Sequence, residues 1–221
     1  MIVSDKLSIS LDKEHGGLRL TVIMSFIASW LILFIILSAF IENQGFSLLA
    51  IILGFAGAYG ITALLERYLK GRWTSGRVIE VDAAGVRMKR KQTLEGEILS
   101  EDPADALLWS FTIKKRARVP KGYSMLACAL HFEDTYLSVY TFMSPKQIET
   151  LESAEHFTKL VNSKQVSSER EDLRLAGEQR RLRDAENHRW SRGGEMTSDD
   201  FMIFFARLKA QYPEWLNSKS S

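Results

Sequence analysis

The sequence predicts an α+β protein: a two-helix transmembrane hairpin, then an antiparallel β-sheet domain capped by a helix, then a helical tail. Three observations carry this. Residues 20–41 and 45–65 contain no charged side chain. Residues 77–142 hold short runs rich in β-branched and aromatic residues, separated by turn signals. Capping signals and apolar stripes at helical spacing follow from Ser144 onward. Four segments result: a cytoplasmic N-terminal segment 1–19, the hairpin 20–69, a β domain 74–162 and a charged helical extension 163–221.

The chain has 221 residues, of which 46% are hydrophobic and 25% charged. Lys and Arg number 29 against 27 Asp and Glu, a net charge of +2. That balance excludes a generally basic nucleic-acid coat and an acidic solvating chain. The single cysteine excludes an intrachain disulfide and an all-cysteine metal site. Mean hydropathy over the whole chain is near zero, but the apolar residues are concentrated near the N-terminus.

At about 1.5 Å rise per residue, each charge-free segment is long enough to cross a hydrocarbon layer of ~30 Å. A water-soluble helix would show a polar face at the 3.6-residue period, and neither segment has one. The first run is too long for a signal-peptide core and leads through Glu42-Asn43-Gln44 into the second. That connector holds no Lys or Arg, whereas Lys13, Arg19, Arg67, Lys70, Arg72 and Arg77 flank the outer ends. The bias places both termini in the cytoplasm of a cell with the hairpin in its inner membrane. Tyr68 and Trp73 fall at the expected interface. Ala50, Gly54, Ala58 and Thr62 share one helix face and allow close helix packing. The face suits either the first span or a helix of a partner or second copy. Neither span holds an ionisable residue, which argues against a transport path.

Beyond Trp73, Arg77-Val78-Ile79-Glu80-Val81 and Val86-Arg87-Met88-Lys89-Arg90 predict a hairpin about Asp82-Ala83-Ala84-Gly85, with Gly85 suited to a positive φ. Residues 92–105 read as a loop or a short irregular strand, and residues 106–113 as a strand. Residues 123–132 and 135–142 form the best hairpin, turning at Glu133-Asp134, with Tyr136, Val139, Tyr140 and Phe142 on the second arm. Ser144-Pro145-Lys146-Gln147 then predicts a capping box opening a helix. Its stripe of Ile148, Leu151, Phe157 and Leu160 or Val161 is expected to cover the sheet.

Two spans, antiparallel strands and a final capped helix, carried by VIEVDAAGVRMKR and LSVYTFMSPKQIETL, resemble the bacterial PH-like membrane proteins, especially the YcxB-like group. The resemblance covers roughly residues 15–162. It implies a PH-like barrel or strongly bent sheet closed by a C-terminal helix, and a membrane-anchored binding or scaffold module rather than an enzyme. The polar stretch 92–105 and the tail depart from that pattern.

Residues 163–194 are dense in charge of both signs, with few large apolar residues, Leu173, Leu175, Leu182 and Trp190 among them. They suit an exposed helix or an arm ordered by a partner. Arg192-Gly193-Gly194 interrupts it. Thr197 or Ser198 then caps a helix whose Phe201, Phe205, Leu208, Tyr212 and Trp215 share one face. That stripe suits the chain's own domain, a partner's groove or the membrane surface, and the five residues are candidate partner-docking residues.

Two basic clusters are candidate membrane-surface residues: Lys89, Arg90 and Lys91, and Lys114, Lys115 and Arg116. Anionic lipid attracts such side chains at ~1 kcal/mol each; a solvated loop is the alternative. No nucleic-acid motif accompanies them. His15, His131, His156 and His188 are scattered, Cys128 lies in an apolar run, and phosphate-loop, nucleophile-elbow and zinc-helix motifs are missing. No catalytic residue, cofactor or metal is expected. The expected partners are the lipid bilayer and a protein partner or second copy, with no nucleic acid. The expected function is non-catalytic binding or scaffolding at the membrane; the alternative is an accessory subunit of a larger bioenergetic or transport complex.

Overall fold

The computed structural model describes residues 6–13, 16–40, 48–113, 119–151, 154–161 and 173–217. It divides into two compact units, Asp12–Ser75, and Met1–Leu11 with Gly76–Ser221. The first holds helices α1 (Gly16–Phe40) and α2 (Leu48–Arg72). The connector Glu42-Asn43-Gln44 lies outside the described residues.

Both helices are long and apolar enough to cross a membrane. They pack along the small-residue seam: Ala50, Gly54, Ala58 and Thr62 are the buried residues of α2. A Cβ on Gly54 would sit 3.4 Å from the Phe34 backbone nitrogen and 3.6 Å from Trp30 Cδ1. Phe26 and Phe55 meet edge to face at 5.1 Å. Of the occupants the sequence allowed for this seam, the one present is α1 of the same hairpin. Gly54→Leu would force a branched side chain against the α1 backbone, so it is expected to destabilise the pair by about 1–3 kcal/mol. A lower thermal aggregation midpoint of the detergent-solubilised protein would register this; an unchanged midpoint would contradict the seam.

The second unit is built on two sheets. The first is antiparallel, ordered β1-β2-β3-β4: β1 (Leu7–Ser10), β2 (Arg77–Asp82), β3 (Gly85–Arg90) and β4 (Thr93–Leu99). The second is ordered β8-β5-β6-β7-β9. Its centre is an antiparallel meander of β5 (Asp105–Thr112), β6 (Ser124–Phe132) and β7 (Thr135–Met143). The short strands β8 (Thr158–Lys159) and β9 (Gly194–Glu195) pair parallel to β5 and β7 at its edges. The mixed helix-and-sheet fold is as expected; where the resemblance implied a barrel or a strongly bent sheet, the described strands form two sheets that do not close on each other.

The predicted hairpins are present. Gly85 adopts a φ of 150°, and a Cβ there would lie 2.2 Å from the Ile98 carbonyl oxygen, so the turn requires glycine. The Asp82 side chain accepts a 2.9 Å hydrogen bond from the Ala84 amide within it. Glu133 takes a φ of 50° at the β6–β7 turn. Much of the 92–105 stretch is the regular strand β4, with a register shift opposite Met88 and Lys89.

The capping box at Ser144 forms: its hydroxyl accepts from the Gln147 amide, and the Gln147 side chain accepts from the Ser144 amide. The helix it opens, α3 (Pro145–Glu149), is only five residues long. The Thr150 hydroxyl donates to the Gln147 carbonyl at 2.8 Å, and the chain turns through a 3-10 segment, Ala154–His156, into β8. The expectation that this helix caps the sheet is thus corrected. The covering comes from the tail, in α4 (Leu173–Arg192), α5 (Ser198–Gln211) and α6 (Pro213–Asn217).

The central core joins both sheets to the tail. Ile79, Val81, Val86 and Ile98 of the first sheet share it with Leu126, Leu130, Val139 and Met143 of the second. Phe201, Phe204, Phe205 and Leu208 of α5 seal it, followed by Tyr212 and Trp215. A second cluster lies on the opposite face of β5–β7. There Trp109, Met125, Ala127 and Ala129 meet Leu182 and Ala185 of α4. Along β6, Ala127 and Ala129 face α4 while Leu126 and Leu130 face the main core, which lets a helix approach closely on one side. The tail is therefore part of the domain, not an appended segment, and so is the N-terminal strand β1.

Candidate functional site

The surface with the densest organisation of charge is the solvent side of the first sheet. In β2 and β3 the residues alternate, so Ile79, Val81, Val86 and Met88 turn inward while Glu80, Asp82, Arg87 and Lys89 turn outward. Cross-strand neighbours then carry opposite charges. Glu80 accepts from Lys6 at 2.8 Å and from Lys89 at 2.7 Å. Arg87 donates to Asp82 at 2.9 Å and to Glu97. Arg90 pairs with Glu95 at 2.7 Å.

This lattice bears on the predicted membrane-surface residues. Lys89 and Arg90 are engaged with carboxylates of their own sheet, so much of their charge is balanced locally. Lys91, in the β3–β4 turn with a φ of 56°, is exposed. Lys114, Lys115 and Arg116 lie outside the described residues. The two clusters are thus not shown as one surface.

Burial pushes the Glu80 carboxyl up, but the hydrogen bonds and charges of Lys6 and Lys89 outweigh it and hold it below its ordinary value. A carboxyl more acidic when folded stabilises the fold above its unfolded pKa, and that contribution is lost as pH falls through the folded value. Taking 4.5 as the unfolded value, the protein is expected to lose stability on acidification below that pH. Glu80→Gln should flatten this acid limb in urea midpoints measured from pH 6 to ~3. An identical limb in both proteins would refute the assignment.

Arg77 is the charged group set deepest among these, 6% exposed. Its guanidinium meets Glu95 at 2.5 Å, the Gly193 carbonyl at 3.1 Å and the Arg192 carbonyl. It ties the first sheet to the C-terminal end of α4, where carbonyls lack helical partners and favour a cation. In the sequence Arg77 is a flanking positive charge and the start of a strand, with no sign of this contact.

The predicted partner-docking residues are placed elsewhere. Phe201, Phe205, Leu208, Tyr212 and Trp215 are all buried in the domain's own core. Phe205 packs on Phe157 at 5.5 Å, and Tyr212 stacks on Trp215 at 4.1 Å. Trp215 Nε1 donates to the Asp102 carbonyl at 3.1 Å, and the Tyr212 hydroxyl donates to the Asp82 carbonyl. The docking assignment is therefore corrected: these side chains are covered by the chain itself, in the core that both sheets share. The helix-packing residues Ala50, Gly54, Ala58 and Thr62 are the set that the structure brings together as read.

Sequence reasoning missed the contacts of α4. Glu186 accepts from Trp109 Nε1 at 2.9 Å and from Arg189, whose guanidinium also lies 4.7 Å from the Tyr140 ring centre. Tyr136 stacks between His131 and His188 at 4.2 and 4.1 Å. A signal was available: Leu182, Ala185 and Arg189 recur at helical spacing, opposite the small residues of SMLACAL. Leu173 and Leu175 carry no described side chains. Burial pushes the Cys128 thiol up to about 12, which leaves it protonated at neutral pH. Among the described residues no three His, Cys, Asp or Glu side chains are grouped to hold a metal. No family model, curated protein or solved structure matches the chain.

Proposed function

We propose that the protein is a membrane-anchored binding or scaffold protein without a catalytic step, its hairpin crossing the inner membrane with both termini in the cytoplasm. The observation that carries the reading is the solvation of the hairpin. Its inner seam is filled by small residues, while large apolar side chains such as Ile35, Phe40, Leu48 and Leu64 are more than 60% exposed on its outside. Water does not tolerate an apolar surface of that extent; lipid tails do. Orientation rests on the Lys/Arg bias of the flanks.

The resemblance of residues 15–162 to the PH-like group, carried by VIEVDAAGVRMKR and LSVYTFMSPKQIETL, supports a binding rather than a catalytic domain. In this reading it presents its polar surfaces at the cytoplasmic leaflet. Lys91, with Lys114, Lys115 and Arg116, supplies the cations for anionic headgroups; Lys89 and Arg90 contribute less because Glu80 and Glu95 hold them.

The test is alkaline carbonate extraction of membranes together with a cytoplasm-dependent fluorescent reporter fused at either end. Retention in the pellet with both fusions fluorescent supports the reading. Release into the supernatant overturns the anchoring, and a dark fusion overturns the orientation.

One feature favours a second reading, an accessory subunit of a larger membrane complex. Trp190, on the outward side of α4, is 81% exposed, and exposed tryptophan is typical of contact hot spots. Mild-detergent purification with stoichiometric partners that Trp190→Ala releases would support it. A homogeneous single-chain preparation would overturn it.

A further inference from the structure

The face of the second sheet that lines the main core changes character along its length. On β5 it reads Ala106, Leu108, then Ser110 and Thr112. On β6 it reads Leu130, Cys128, Leu126, then Ser124. Register places Ser110 opposite Leu126 and Thr112 opposite Ser124, so the three hydroxyl residues share one face at one end of the meander. A face that is apolar where it is covered turns hydroxylic where a cavity of about 230 Å³ opens.

The opposite wall of that cavity comes from the segment that replaced the expected capping helix. Because α3 stops at Glu149, Ile148, Ala154 and Phe157 lean over the sheet end, and with Leu126 they give the cavity an apolar side. The chain then enters β8, which pairs Lys159 beside Ser110 and brings Lys159 into the lining. The cavity thus has one apolar wall, three hydroxyl groups and one ammonium group.

None of these polar groups is spent within the fold. Among the described residues, the side chains of Ser110, Thr112, Ser124 and Lys159 make no hydrogen bond or ion pair with protein. The exposed Lys159 ammonium is the one charge among the described lining residues, and with the hydroxyls it offers up to six hydrogen-bond donors. A positive charge among donors suits an anion. The apolar wall suits a short hydrocarbon tail, and the volume is below the ~300–1,000 Å³ of pockets that enclose drug-sized ligands.

We infer that this cavity binds a small anionic amphiphile, a short-chain carboxylate, with its head at Lys159 and the hydroxyl groups of Ser110, Thr112 and Ser124, and its tail against Ile148, Ala154 and Phe157. The inference is independent of where the hairpin resides. It adds a ligand class to a domain otherwise read as a scaffold.

The test is equilibrium dialysis of radiolabelled octanoate against the purified full-length protein held in amphipathic polymer, with polymer alone as the blank. Saturable binding of one octanoate per chain is expected. Lys159→Gln, at an exposed position, is expected to weaken it at least tenfold, and Ala154→Phe, which fills the cavity, to abolish it. Uncharged octanol should compete poorly, and so should inorganic phosphate. No saturable binding, or binding unchanged in Lys159→Gln, overturns the site. Equal competition by octanol overturns the anionic head, and equal competition by phosphate overturns the apolar tail. Circular dichroism of each variant establishes that loss of binding is not loss of fold.

Discussion

Phe201→Ala is expected to destabilise the β domain by about 3–5 kcal/mol, the cost of truncating a buried aromatic side chain to a cavity. Phe201 is fully buried and forms a cluster of three rings with Phe157 and Phe205 within the core that both sheets share. The loss should appear as a lower urea midpoint in near-ultraviolet circular dichroism of the isolated protein. This outcome separates two roles for the aromatic stripe. A stripe reserved for a partner would leave the free protein's stability unchanged on truncation and reduce only an affinity. A midpoint within error of the parent would therefore restore the docking role. Trp215→Ala should behave like Phe201→Ala, since it removes both the stack on Tyr212 and the hydrogen bond to Asp102.

The second large effect is at Arg77. Arg77→Met keeps most of the side-chain volume but strands Glu95 and the carbonyls of Arg192 and Gly193. Removing one partner of a buried charged network costs about 3–5 kcal/mol. A value near 3 kcal/mol is expected here, because Glu95 is 24% exposed and keeps Arg90. Arg77→Lys should recover only part of this, since one ammonium cannot reproduce the forked guanidinium reaching a carboxylate and two carbonyls. Hydrogen exchange gives the local readout: amides in the last turn of α4 should exchange faster in Arg77→Met. Protection equal to the parent would show that the end of α4 is held without Arg77, by its contacts with β5–β7.

Local signals were enough for many of the elements. A charge-free run of this length and composition is long and apolar enough to cross a membrane as a helix, so α1 and α2 were readable. The alternation from Tyr136 to Phe142 and the Glu133-Asp134 turn specified β6–β7, because strand faces and turn φ values are properties of a few adjacent residues. The Ser144–Gln147 box marked where α3 starts for the same reason. It did not mark where α3 ends, since Leu151 and Phe157 serve a helix stripe and an inward-turning loop equally well.

What escaped were pairings between distant segments. Leu7-Ser8-Ile9-Ser10 alternates as a strand should, yet four residues are too few to stand out without the β2 edge they complete. The charged 163–194 stretch reads as an exposed helix and hid the docking of α4, because Leu182 and Ala185 are few among many charges while Glu186, His188 and Arg189 dock through polar and ring contacts.

Residue order alone therefore settled the two long apolar helices, the β2–β3 and β6–β7 hairpins, and which faces of those strands are apolar. These follow from backbone preference and side-chain solvation, which act over one or two turns. The folded chain alone settled what covers each apolar face: α1 against Gly54, the two sheets against Phe201 and Trp215, and α4 against Ala127 and Ala129. An apolar stripe specifies that it must be buried but carries no record of by what. The choice rests on complementary shape and charge between segments far apart in sequence, such as Arg77 and the end of α4.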